Sequence, residues 1–140
     1  MTRKTLRAVR ITAETFEHLT IDDTNQVYQI QHEIGCRYFE VVNLEDNIDV
    51  FIDDEGAING TPLNLWLTIL AHTLGTPAVL FGNALILGIN PDTGESISLT
   101  DAQLDRLTQA VTAKPSPVVV EQLTKSLAPL PAVVAYLQTL

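Results

Sequence analysis

Apolar residues at loosely alternating positions open the chain: Leu6, Val9, Ile11, Phe16, Leu19 and Ile21. This Thr-rich stretch predicts one or two β-strands. Val27, Ile30 and Ile34 then recur at helical spacing, and Gly35 follows as a natural stop. We therefore predict a first helix over residues 22–34 that is capped by Asp22 or Asp23.

A hairpin is predicted next, with segment 38–42 pairing with segment 48–52 across a polar turn at residues 44–47. Along the second strand Ile48, Val50 and Ile52 alternate with Asp49 and Asp53, which predicts one face in water. The strand ends at Gly56, which can turn the chain through a positive φ.

Two further helices are predicted from proline, glycine and capping signals. Pro62 suits the first turn of a helix over residues 62–74, which Gly75 closes. In it Trp66 has the spacing of a core residue, and a pocket lined by Trp66 and Phe81 is the alternative. Thr100 and Gln103 form a capping box for a helix over 101–113. Between these helices, residues 78–89 predict either a short hairpin or one buried strand with a bulge, and 96–99 a returning strand.

The last part of the chain is apolar and divided by proline. Ser116 and Pro117 predict the cap and first position of a helix to about residue 127, and a short helix follows to residue 140. Six apolar residues are predicted to form a homodimer interface, with packing inside the chain as the alternative. These residues are Val119, Leu123, Leu127, Val133, Tyr136 and Leu137.

Together these signals predict an α+β fold with a mostly antiparallel sheet, about three helices and a helical C-terminal extension. We expect an α+β domain over residues 1–114 and the extension over 115–140. With 140 residues, 46% of them hydrophobic, the chain can build one core. The single cysteine, Cys36, excludes an internal disulfide, and no apolar run spans a bilayer. We expect a cytoplasmic protein.

Charge is distributed unevenly along the chain. The formal net charge is −9, and between Glu14 and Asp105 the only lysine or arginine is Arg37. Such a surface repels phosphate at long range, which argues against conventional DNA or RNA binding and leaves room for a cationic partner. The favoured interpretation is that the acidic surface serves solubility alone.

Four segments resemble a known family: 37–42 (RYFEVV), 48–56 (IDVFIDDEG), 58–64 (INGTPLN) and 81–88 (FGNALILG). They are similar to the (Y/F)-E-V-V, D/N-E-E-G, G-L-P-x-N and G-x-x-L-x-x-G patterns of the domain-of-unknown-function family 3846. Thr61 stands where that family usually has leucine. The resemblance covers about residues 5–111 and implies a phage, plasmid or bacterial mobile-element setting. It implies no activity and no catalytic residues.

Candidate site residues are few. Asp49, Asp53, Asp54 and Glu55 are expected to cap a strand end in water, with a hard-cation site as the alternative. Glu40 is a candidate for partial burial with Arg37 as its partner, although a salt bridge on an edge strand is the favoured interpretation.

Other chemistry finds no support in the sequence. The three histidines and Cys36 have no metal-ligand spacing, and no nucleotide-binding or nucleophile motif occurs. We predict no metal, no cofactor and no catalytic residue, and expect Cys36 to be a small apolar filler.

The favoured function is a small non-catalytic binding protein of phage or mobile-element type that contacts a host protein, in host takeover or anti-defence. The first alternative is a sponge for a nucleotide-like immune signal. The second is a metal-dependent enzyme that uses the cluster from Asp49 to Glu55.

Overall fold

A computed structural model describes residues 5–55 and 60–140 of the chain. These residues form six strands and five helices, in the following order along the chain: β1 Thr5–Ile11, β2 Phe16–Asp22, α1 Gln26–Ile34, β3 Phe39–Leu44, β4 Ile48–Asp53, α2 Leu65–Thr73, β5 Ala84–Ile89, β6 Ser96–Ile97, α3 Asp101–Thr112, α4 Pro117–Ser126 and α5 Pro131–Leu137. The turn predicted at Gly56 lies outside the described residues.

The strands form one antiparallel sheet in the order β2-β1-β5-β4-β3, and β6 pairs with β5. The predicted α+β fold with a mostly antiparallel sheet is therefore confirmed. Strand β5 lies at the centre and is buried along almost its whole length. For residues 78–89 the structure has one buried strand and not a hairpin, but β5 covers only the second half of that segment, and Gly82 turns the chain into it with a φ of 76°.

Helices cover the two faces of the sheet unequally. On one face α2 and α3 pack over Val9, Val50 and Ile86, and this is the larger of the two cores that contact the sheet. On the other face α1, alone among the described helices, packs through Ile30 and Ile34 on a smaller set of strand residues. Each strand that alternates its side chains between the faces contributes to both cores.

Helix α1 begins later than its predicted start at residue 22. Its N-cap is Asn25, whose φ is 57° and whose side chain makes no capping hydrogen bond. Asn tolerates this left-handed backbone, so the turn geometry rather than an aspartate cap sets the start. Gly35 ends the helix as predicted, and its N–H donates to the Gln31 carbonyl. Val27, which fits the helical spacing of Ile30 and Ile34, is 59% exposed.

Helix α2 begins at Leu65 because Asn64 caps it, so the predicted start at Pro62 is wrong. The buried Asn64 side chain accepts a hydrogen bond from the Leu67 N–H at 3.1 Å. Its Nδ2 donates to the carbonyls of Ile11 and Gly82 at 3.2 and 2.8 Å. One side chain thus joins the helix start to β1 and to the turn before β5.

The predicted wet face of β4 is also wrong. Asp49 is 4% exposed and accepts a hydrogen bond from Asn43 Nδ2 at 2.6 Å. The hairpin of β3 and β4 forms with the predicted partners, but β4 also pairs with β5 on its other side. An inner strand with helices on both faces has little access to water, which is why Asp49 needs a polar partner.

The capping predictions for the last helices are confirmed. Thr100 and Gln103 form a reciprocal capping box at the start of α3. Ser116 accepts from the Val119 N–H, and Pro117 takes the first position of α4. These signals are local in sequence, so they do not depend on how the sheet assembles.

The C-terminal helices pack on α2 and form a third apolar cluster. Leu123, Leu127 and Leu137 are buried there against Ile69. Among the described helices, none combines the length and the hydropathy that crossing a membrane requires.

Candidate binding groove beside the first helix

A shallow groove of about 680 Å³ lies where α1 ends and the chain turns toward β3. The last two turns of α1 form one wall, and residues 35–38 form the other. Seven residues line it: Tyr28, Gln31, His32, Gly35, Cys36, Arg37 and Tyr38. Gly35 takes a φ of 77°, a conformation that few other residues adopt, and this turn brings Arg37 and Tyr38 beside the helix.

Aromatic rings stand exposed along the groove. The Tyr28 and His32 rings, one helical turn apart, stack with a centroid distance of 6.4 Å and an interplanar angle of 16°. Tyr28 is 69% exposed and Tyr38 is 58% exposed. Two tyrosines with so little cover leave ring surface available to a bound molecule.

Arg37 supplies the only lysine or arginine side chain in the groove. Its guanidinium carbon lies 5.6 Å from the centroid of the Tyr38 ring, a cation–π contact. Among the described residues no carboxylate forms a salt bridge with it. The predicted pairing of Arg37 with Glu40 is therefore absent from the described residues. Glu40 is exposed on β3 instead of half-buried. Arg37 is therefore free to bind an anion or a carboxylate of a partner.

Cys36 lies at the base of the groove, partly buried beside the core under α1. Burial raises the pKa of its thiol, and the negative charge of Asp53 raises the pKa further. A thiol with a raised pKa is protonated at neutral pH and is a poor nucleophile. This agrees with the prediction that Cys36 is a small apolar filler.

The four clustered acids do not gather at one point. Asp53 ends β4 and accepts a hydrogen bond from the Glu55 N–H at 2.9 Å, and the Asp54 N–H donates to the Tyr38 carbonyl at 3.0 Å. Asp49 lies four residues earlier on the strand, about 13 Å away at the usual rise per residue. Within residues 5–55 and 60–140, no three histidine, cysteine or acidic side chains are placed to hold a metal ion.

The remaining histidines lie away from the groove. His18 is exposed on β2, whereas His72 is buried in α2. His72 Nδ1 is 2.8 Å from the Thr68 carbonyl, and its Nε2 is 3.5 Å from Ser126 Oγ of α4. His72 thus joins α2 to the C-terminal extension.

The six residues predicted to form an interface divide into two groups. Leu123, Leu127 and Leu137 are buried within the chain, and Val119 and Val133 pack partly on the same cluster. Tyr136 is half-exposed and lines a cleft of about 360 Å³ with Trp66. The extension therefore packs inside its own chain, as the alternative expected. Trp66 is 38% exposed, not a core residue. A homodimer stays a prediction, and it requires either exchange of the extension or a different surface.

Sequence reasoning named Arg37 but missed Tyr28, His32 and Tyr38. A signal for Tyr28 and His32 was present, because Ile30 and Ile34 define the buried side of α1 and both residues fall off that side. Tyr38 precedes the strand residue Phe39, which packs inward, so it faces the other way.

Comparison with curated proteins and with solved structures found no match to this chain. A family model does match, and it covers residues 6–112. Its span agrees with the resemblance in segments 37–42 to 81–88 and includes the whole groove, while α4 and α5 lie outside it. The chain belongs to the family described as a domain of unknown function, DUF3846.

Proposed function

We propose that this chain is a small non-catalytic binding protein that contacts another protein through the aromatic surface formed by Tyr28, His32, Arg37 and Tyr38. The observation that carries the proposal is the exposure of two tyrosine rings around a guanidinium that has no carboxylate partner among the described residues. Tyrosine and arginine are among the residues most enriched at the energetic centres of protein interfaces.

The surroundings of this surface support a protein partner. Val27 extends the apolar area on α1, and Asp54 and Glu55 supply a charged rim at the end of β4. An aromatic centre with a polar rim is the usual anatomy of a protein interface. The phage, plasmid or bacterial mobile-element setting that the sequence resemblance implies supports a host protein as the partner, in takeover of the host or in anti-defence.

A nucleotide-like ligand is the second candidate, and the same groove supports it. Flat rings stack on bases, and one arginine can hold a phosphate. The groove also has a volume within the range of small-molecule sites. We rank it second because a single arginine supplies the positive charge in a chain of net charge −9.

Affinity capture with matched variants tests the first candidate. The double variant Tyr28→Ser, Tyr38→Ser removes both rings, whereas Tyr136→Ser removes a 50% exposed ring from α5, outside the groove. We expect the double variant to lose at least about 90% of a specifically captured protein and the control to keep it, since truncation of an interface anchor costs about 2 kcal/mol or more. Equal capture by both variants would refute the aromatic surface.

Calorimetric titration with a panel of mono-, di- and cyclic nucleotides separates the second candidate from the first. A nucleotide that binds the wild type and loses its affinity in Arg37→Ala, with partial recovery in Arg37→Lys, would favour the nucleotide ligand. If no nucleotide produces heat and the double variant loses capture, the nucleotide ligand is excluded and the protein partner is supported.

A further inference from the structure

Strand β3 forms one edge of the sheet, and part of its backbone has no hydrogen-bonding partner among residues 5–55 and 60–140. In an antiparallel pair, alternate residues direct their N–H and C=O groups toward the neighbouring strand, and the residues between them direct these groups away. The Asp54 N–H donates to the Tyr38 carbonyl at 3.0 Å, and the register opposes Phe39 to Asp53. The even-numbered residues of β3 therefore direct their N–H and C=O groups toward β4. The odd-numbered residues direct theirs away from the sheet.

Two contacts near the β3–β4 turn confirm this assignment. Thr76 Oγ1 donates to the outward carbonyl of Asn43 at 2.9 Å. The outward N–H of Glu45 donates to the Leu74 carbonyl at 3.1 Å. The loop after α2 thus covers that end of the β3 edge.

At the other end of the edge, the residues that the structure describes cover one position. Gln31 Nε2 donates to the Arg37 carbonyl. Between these covered ends, no hydrogen bond from the described residues reaches the N–H and C=O groups of Phe39 and Val41 or the N–H of Asn43. An unpaired edge of this kind is a template for a further strand.

We propose that this open edge accepts an extended segment of the partner protein as an additional strand, with a lysine or arginine beside Glu40. Main-chain hydrogen bonds give such a contact its affinity, and alternate side chains give it specificity. The proposal rests on the proposed function and names the form of the partner segment. The edge also adjoins the aromatic surface, since Tyr38 immediately precedes β3.

Charge determines which segment fits. Glu40 is exposed in the middle of the open edge, and no cation in the described part of the chain forms a salt bridge with it. Val41, on the opposite face of the strand, is 43% exposed and apolar. The complementary segment alternates a basic residue on the Glu40 face with an apolar residue on the Val41 face, because opposite charges and apolar pairs across strands are stabilising.

A second copy of this chain fits the edge less well. An antiparallel pairing centred on Val41 would use the Asn43 carbonyl, which Thr76 already occupies. A pairing centred on Glu40 would place two carboxylates directly opposite each other, which is destabilising. The edge therefore favours a segment of another protein over its own symmetry mate.

Hydrogen exchange measured by NMR on the full chain tests the proposal with synthetic seven-residue peptides. The first peptide alternates valine and lysine, the second replaces lysine with glutamate, and the third carries N-methylated valines that block strand pairing. With the lysine peptide at millimolar concentration we expect the amides of Phe39 and Val41 to exchange at least about tenfold more slowly. Neither the glutamate nor the N-methylated peptide should produce this change.

Matched proline variants complete the test. Val41→Pro removes an outward N–H from the open edge without removing a bond to β4, and proline is tolerated at such edge positions. Thr20→Pro is the control on the opposite edge, where the same alternation, set by the 2.9 Å bond from the Thr12 N–H to the Thr15 carbonyl, directs the Thr20 N–H outward. Val41→Pro should abolish the lysine-peptide effect, as should Glu40→Lys, whereas Thr20→Pro should retain it.

Lack of protection at Phe39 and Val41, or equal protection by the glutamate peptide, would overturn strand addition. A captured partner that is lost in Tyr28→Ser, Tyr38→Ser but retained in both Val41→Pro and Glu40→Lys would also overturn it, while leaving the proposed binding function intact. Loss of the partner in Val41→Pro and Glu40→Lys, but not in Thr20→Pro, would support it.

Discussion

The two faces of the sheet differ in how fully they are covered. On one face α2 and α3 build the main core, and α4 and α5 add a second apolar layer on α2. On the other face the nine-residue α1 is the only helix in the described part of the chain, and Val27 and Tyr28 on it remain exposed. Three leucines of the C-terminal extension, Leu123, Leu127 and Leu137, are thus buried inside the chain, whereas Val27 and Tyr28 of α1 are left exposed.

The layer of α4 and α5 should give the largest effect when it is disrupted. Leu127 is 1% exposed, so Leu127→Ala should lower the free energy of unfolding by about 2–5 kcal/mol through lost burial and the cavity left behind. Val118→Ala, at a 63% exposed position of α4, should change it by less than about 0.5 kcal/mol. Urea unfolding of both variants measures the difference.

A small effect of Leu127→Ala would contradict packing of the extension on α2. Light scattering on the intact chain then separates the remaining accounts. A dimer whose mass falls to that of a monomer on truncation at Ala113 would show that the extension is exchanged between two chains.

Substitution of Asn64 should give the second largest loss in the free energy of unfolding, because its side chain makes three hydrogen bonds on the covered face. Asn64→Ala removes the cap of α2 and leaves the carbonyls of Ile11 and Gly82 without their donor, so a loss of about 2–4 kcal/mol in the free energy of unfolding is expected. Ser116→Ala removes only the exposed cap of α4 and should cost about 1 kcal/mol. Equal losses in the two variants would show that the contacts of Asn64 with β1 and Gly82 contribute little.

These two caps also show what the sequence could predict. Ser116 was predicted because its cap is followed directly by proline, a signal complete within a few residues. Asn64 was missed because Pro62, two residues earlier, carries the same kind of signal, and only the contacts with β1 decide between them. The pairing of β3 with β4 was predictable for the same reason as Ser116, because the turn that joins the two strands is short.

Features that depend on distant pairing were not predictable. The burial of Asp49 follows from the position of β4 next to β5, about forty residues further along the chain. The groove depends on the exposure of Tyr28, which is set by how far α1 extends over the sheet. Periodicity showed which side of α1 is buried, but not how far the sheet covers that side, as the exposed Val27 demonstrates.

The exposed face should respond differently to mutation. Tyr28→Ser removes a ring that is 69% exposed, so the free energy of unfolding should change by less than about 0.5 kcal/mol. Ile30→Ser, two residues later on the buried side of α1, should lower it by several-fold more. Chemical unfolding of the pair tests whether Tyr28 serves binding and not stability. A large loss in Tyr28→Ser would assign the ring to the fold.

The smallest effect concerns Cys36, which lies where the groove meets the core under α1. Burial and the charge of Asp53 both raise the pKa of the thiol, so its thiolate forms only at higher pH than in a free cysteine. Alkylation by iodoacetamide at pH 8 should therefore be slower in the folded protein than in the urea-unfolded chain. Asp53→Asn removes the second cause and should speed the reaction, whereas Asp54→Asn should not.

The same thiol should also make stability depend on pH. Because the pKa is raised in the folded state, the associated stability is fully present below the unfolded pKa of about 8.5 and is lost as pH rises through the folded value. The free energy of unfolding of the wild type should then fall relative to that of Cys36→Ser above about pH 8.5. Alkylation at equal rates in the folded and unfolded chains would show that the floor of the groove is open to water, and that α1 covers its face of the sheet even less than the structure indicates.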